Sequence, residues 1–81
     1  AAVIETSLML HYLPNLVRID LIPDEPPADF PPYDMYPTRT EWVPASGVLS
    51  SAKGSTAEKG ARMAGDITAG IAAAVRKEFN L

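Results

Sequence analysis

Val3-Ile4-Glu5-Thr6-Ser7-Leu8-Met9-Leu10-His11-Tyr12-Leu13-Pro14 is the stretch that decides how the rest of the chain is read. Leu8, Met9, Leu10 and Leu13 are good helix formers, and Pro14 cannot continue a helical turn, so the pattern predicts a helix over residues 3–13. Apolar side chains lie on most of its circumference rather than along one stripe. A helix of that kind is covered on several sides. The remaining sequence offers little to cover it. At 81 residues without a cysteine, there is neither a large core nor a disulfide framework to hold a small fold together. The hydrophobic fraction is 47%, but alanine supplies about a third of it, and the large apolar side chains concentrate in residues 3–22.

Outward from this helix, Leu16-Val17-Arg18-Ile19-Asp20-Leu21-Ile22 alternates weakly and reads as a short strand or an extended arm. From Pro23 to about Lys53 nothing repeats at a helical or strand period. Seven of the eight prolines lie between Pro23 and Pro44, and Pro26-Pro27 and Pro31-Pro32 hold the backbone extended. Yet Phe30, Tyr33, Met35, Tyr36, Trp42 and Val43 gain by leaving water, so the segment reads as an arm laid across a larger body. The last segment is a helix from Thr56 to about Phe79, with Ser55 and Glu58 in a capping-box pattern. Ala64, Ile67, Ile71, Ala74 and Val75 recur at helical spacing, and Arg76 and Lys77 sit where the helix dipole favours positive charge. Gly60, Gly65 and Gly70 each weaken it by up to about 1 kcal/mol relative to alanine, while letting a neighbour approach closely. Two helices and an arm describe part of a domain.

Composition narrows the function. A net charge of −3 is the wrong sign for a nucleic-acid footprint. No apolar run is long enough to cross a bilayer, and no basic stretch precedes an apolar one as in a secretory leader. A cytoplasmic protein is the expectation. The single His11 leaves little material for a transition-metal site. Asp24, Glu25, Asp29 and Asp34 lack the ordered spacing of a calcium loop and read as a solvated arm.

Glu5 is the one carboxylate in an awkward position. On a helix it shares a face with Leu8, Met9 and Tyr12, and an ionised carboxylate against that surface needs a compensating partner. It reads either as an acid/base or supporting group in a site completed elsewhere, or as a first-turn carboxylate held by the helix dipole. Thr6 and Ser7 could orient Glu5 or cap the helix start, with ordinary residues of a helix start the favoured reading. His11 follows Ser7 by one turn, but nothing supplies the acid and oxyanion hole of a serine hydrolase, so a structural role is expected. Residues 47–60 join small residues to a helix N-terminus without the spacing of a phosphate loop and read as a helix entry with no ligand.

These residues resemble a family. Ala1-Ala2-Val3-Ile4-Glu5-Thr6-Ser7-Leu8-Met9-Leu10 is similar to the creatininase motif, in which a histidine and two small residues precede x-x-Glu-Thr-Ser-Leu-Met. Pro14-Asn15-Leu16-Val17 resembles that family's Pro-x-Leu-Val. Phe30-Pro31-Pro32-Tyr33-Asp34, the stretch from Pro44 to Ser51, and Ser55-Thr56-Ala57-Glu58-Lys59-Gly60 follow in the family's order. The resemblance implies that residues 1–81 are the C-terminal portion of one α/β domain of three-layer α/β/α type, its partner being the N-terminal part of the same domain. It implies a metal-dependent amidohydrolase acting on a small-molecule amide, creatinine to creatine above all, through water activated by two divalent metals, Zn or Mn. The metal ligands would lie outside this chain, which alone would be inactive. Of the site residues only Glu5 carries over, supporting a histidine placed just before Ala1. Ala1 and Ala2 stand where the family often has glycine and would allow close backbone approach. A homo-oligomer, a hexamer by the same resemblance, is implied as well. Two alternatives stay open: a small interaction module docking through its Pro/aromatic arm, and a family relative that acts on another amide.

Overall fold

The computed structural model describes residues 2–81, so the expectation for Ala1 lies outside the described residues. Helix α1 runs Val3–Tyr12 and helix α2 runs Ala57–Phe79, with three single 3-10 turns at Pro14–Leu16, Ile19–Leu21 and Thr40–Trp42 between them. α1 begins with the Thr6 amide donating to the Ala2 carbonyl at 3.1 Å. It ends where Leu13 donates to Met9 at 2.7 Å and Pro14 has no amide to offer.

Residues 16–22 form neither a strand nor a plain extended arm. Pro14 starts a 3-10 turn, in which Val17 donates to the Pro14 carbonyl at 3.3 Å. A second turn follows, with Ile22 donating to Ile19 at 3.1 Å. The Arg18 guanidinium reaches both oxygens of Asp20 at 3.2 and 3.0 Å across this second turn. Weak apolar alternation could not anticipate it.

The cap of α2 is displaced by one residue from the sequence reading. Thr56, not Ser55, is the N-cap, and its Oγ1 accepts from the Lys59 amide at 3.1 Å. The Ser55 hydroxyl instead donates back to the Ala52 carbonyl at 2.5 Å, closing the turn before the helix. α2 stops at Asn80, whose φ of 55° is the left-handed conformation that asparagine tolerates better than most residues.

The two helices meet through small residues. Ser7 is fully buried (0% exposed), and its Oγ accepts the Thr56 amide at 3.2 Å, so α1 supplies an acceptor to the N-cap residue of α2. A Cβ on Gly60 would lie 1.9 Å from the Ser7 carbonyl oxygen and 3.0 Å from the His11 Cβ, so the backbones touch where no side chain fits. Leu10 on α1 and Ala64 on α2, each one turn further along, are buried beside this crossing.

Little else is covered. Among the described residues only Leu10, Ala52 and Ala64 are buried apolar side chains. Ile67, Ile71, Val75 and Phe79 form a stripe along α2 that stays exposed. The radius of gyration is 16.9 Å, against about 12 Å for a compact chain of this length. The accessible surface is 6532 Å², where a compact protein of 8.7 kDa would show about 4,700 Å². No strand occurs among the described residues, which form helices, 3-10 turns and an irregular arm.

Candidate active site

The first turn of α1 carries Glu5 between two open clefts. The first, about 480 Å³, is lined by Ala2, Val3, Ile4, Glu5, Ser50 and Ser51. The second, about 520 Å³, is lined by Glu5, Thr6, Met9, Leu16, Val17 and Arg18. Glu5 is the residue shared by both. It is exposed, so the desolvation expected from its apolar helix face is not imposed by this chain: Met9 and Tyr12 on that face are exposed too, at 41% and 61%.

The loop opposite Glu5 is tied down from several sides. The Ser51 Oγ accepts the Lys53 amide at 3.0 Å. The Lys53 ammonium pairs with Asp24 of the arm, which holds the Asp24 carboxyl below its ordinary value by hydrogen bonding and charge. Gly54 turns the chain with φ 86°, a conformation open to glycine, and its carbonyl accepts from the Lys59 Nζ at 2.6 Å. The same loop then reaches Thr56 and its bond to Ser7. Loop and α1 are thereby held to one another within two residues of Glu5.

The other sequence candidates fall elsewhere. Ser7 and His11 do not form a nucleophile pair facing a cleft: the Ser7 hydroxyl caps Thr56, and the His11 Cβ packs at Gly60 while its ring lies 4.7 Å from that of Tyr12. Thr6 lines the second cleft. Asp20 is held below its ordinary value by Arg18. No group of three or more His, Asp or Glu side chains among the described residues is placed to hold a metal ion, so the residues present do not fit a metal centre. No described helix is long and apolar enough to cross a membrane. On the arm, Phe30 and Trp42 meet edge to face at 6.2 Å and the Arg39 guanidinium stands 5.6 Å from the Trp42 ring centre. Phe30 and Trp42 border a third cleft of about 410 Å³ with Tyr33, Asp34, Met35, Tyr36 and Thr38.

Sequence reasoning missed two features. Ser7 looked like an ordinary helix residue, because its role depends on an amide 49 positions away. Ser50 and Ser51 looked like part of a ligand-free helix entry, and only the fold brings them beside Glu5.

Comparison with known proteins places this arrangement. The family model for creatininase, creatinine amidohydrolase, matches residues 1–75. A creatinine amidohydrolase from Pseudomonas putida is 51% identical over 77 residues, covering 95% of this chain and 30% of that protein. A manganese creatininase structure superposes with a TM-score of 0.88 at 49% identity, over 99% of this chain and 31% of its own. A glutamate-to-glutamine creatininase variant, solved in a Zn-Zn form and in complex with creatine, matches with TM-scores of 0.88 and 0.87 at the same identity and coverage. The chain thus spans about a third of the length of these relatives.

Proposed function

The chain belongs to the creatininase family, and from that membership we propose that it forms part of an amidohydrolase converting creatinine to creatine, with Glu5 as a supporting residue of the site. The observation that carries the reading is the 51% identity to a creatinine amidohydrolase across nearly the whole chain. A similar structure holds creatine, the product of adding water across the lactam carbon–nitrogen bond. Glu5 stands in the first turn of α1 at the junction of two clefts, where a carboxylate can fix the orientation of a neighbouring imidazole or accept its proton.

Two divalent metals, Zn or Mn as in the family, would be held by residues outside this chain. The three-layer α/β/α domain is completed by a sheet that this chain does not carry. The exposed stripe from Ile67 to Phe79 supports that packing, since an unpartnered apolar helix face is stable only against another layer. With the metal ligands assigned to the rest of the domain, the chain alone would not turn over substrate. The exposed aromatic arm suits a contact with another subunit of a cytoplasmic homo-oligomer.

The test is an assay of the whole protein with creatinine and Mn²⁺ or Zn²⁺, alongside Glu5→Gln. Creatine formation is expected, with kcat lowered about 10- to 100-fold in the variant, the size of effect typical of a residue that orients a catalytic group. Absence of creatinine turnover would sink the substrate assignment, and full activity of Glu5→Gln would remove Glu5 from the site.

A further inference from the structure

The cleft at Glu5 has a second wall, made of Ser50 and Ser51. Its six lining residues come from only two segments, Ala2 to Glu5 and the serine pair, joined across 45 positions of sequence. The α1 side offers one carboxylate among short apolar side chains. Both remaining polar side chains belong to the loop.

The two hydroxyls are placed for use. Ser50 is exposed, and its hydroxyl makes no hydrogen bond within the described residues, so both its donor and its acceptor capacity remain. Ser51 is half-buried and accepts the Lys53 amide through Oγ at 3.0 Å, which leaves its O–H proton available to donate. The ties described above, from Lys53 to Asp24, from Lys59 to Gly54 and from Thr56 to Ser7, hold this wall in place relative to α1. A ligand therefore meets a wall already set, without the ordering cost of a loose loop.

We propose that Ser50 and Ser51 determine substrate binding at the Glu5 cleft, their hydroxyls hydrogen-bonding the polar edge of a small neutral amide. The inference rests on the amidohydrolase reading above and adds the substrate-contacting wall to it. Besides the carbonyl that reacts, a small ring amide carries N–H donors and nitrogen acceptors, and two neutral hydroxyls match both without burying charge. Contacts to the ring's polar groups other than the reacting carbonyl are made equally in ground and transition states, so they act on KM rather than on kcat.

The experiment measures creatinine hydrolysis by the whole, metal-loaded protein for Ser50→Ala, Ser51→Ala, Ser51→Thr and the double alanine variant. Each lost hydroxyl is expected to raise KM about three- to tenfold with kcat within about twofold. Ser51→Thr keeps the hydroxyl and is expected to restore KM, which a mere loosening of the loop would not predict. Ser50→Ala removes no hydrogen bond among the described residues, and unfolding of the same variant, expected unchanged, separates binding from folding. Unchanged KM in the double variant, or a fall in kcat at constant KM, overturns the inference while wild-type turnover leaves the amidohydrolase reading standing. A wild type that does not hydrolyse creatinine overturns both.

Discussion

Replacing Gly60 with alanine puts a methyl carbon 1.9 Å from the Ser7 carbonyl oxygen and 2.5 Å from its carbonyl carbon. Real Cβ contacts under 3.0 Å are essentially never seen, so the crossing must open by more than an ångström. Both obstructing atoms are backbone, and no side chain can rotate away. Overpacking costs about 1–3 kcal/mol, and the rigidity of the obstacle puts this case at the upper end. The same displacement stretches the 3.2 Å bond from Thr56 to Ser7, and stranding a part-buried amide adds about 1–3 kcal/mol. Helix propensity returns about 1 kcal/mol, because alanine is a better helix former than glycine. The net expectation is a loss of about 3–5 kcal/mol, or a fall in Tm of about 6–20 °C in a domain of 150–250 residues. Thermal or urea unfolding of the whole protein, followed by circular dichroism at 222 nm, measures it. Gly65→Ala is the control: a Cβ there meets nothing within 4 Å in this chain, so propensity alone predicts no loss. A Gly60→Ala protein as stable as the wild type would refute the close crossing and everything built on it.

Ser7→Ala keeps the helix and deletes only the acceptor for Thr56, so it is expected to cost about 1–2 kcal/mol in the same unfolding assay; no loss would mean that the amide finds another partner. Thr56→Ala is expected to destabilise by about 1 kcal/mol and Ser55→Ala by less, because Thr56 holds the cap; the reverse order would restore the capping box at Ser55. Asp24 is held below its ordinary value of 3.8 by Lys53. Its contribution is therefore complete above the unfolded value and lost as pH falls through the lower, folded value. A carboxyl titration by NMR should place the Asp24 midpoint below 3.8, returning toward it in Lys53→Gln; a wild-type midpoint at or above 3.8 refutes the pair.

Local rules were enough for the helices. Pro14 set the end of α1 to within a residue, and the small-residue periodicity set the length of α2. The cap slipped by one position because Ser55 and Thr56 are both capping residues, and the choice between them depends on Ser7, which is distant in sequence. The turns at Pro14–Leu16 and Ile19–Leu21 were hidden because they are closed by local amide bonds, Val17 to Pro14 and Ile22 to Ile19, which apolar alternation does not register. Glu5 could be singled out by its apolar helix neighbours and by the Glu-Thr-Ser-Leu-Met resemblance. Its opposite wall could not, since no spacing rule relates residue 5 to residues 50 and 51.

The small-residue crossing has a mechanical corollary. Gly60 sits in the opening turn of α2, so 19 residues of rigid rod extend beyond the pivot to Phe79, a lever of about 28 Å at 1.5 Å per residue. A tilt of about 10° at the fulcrum would swing the far tip by about 5 Å over that rise. Seating Ile67, Ile71, Val75 and Phe79 against another layer would clamp the rod along its length, and the Thr56–Ser7 bond links its pivot end to the helix that bears Glu5.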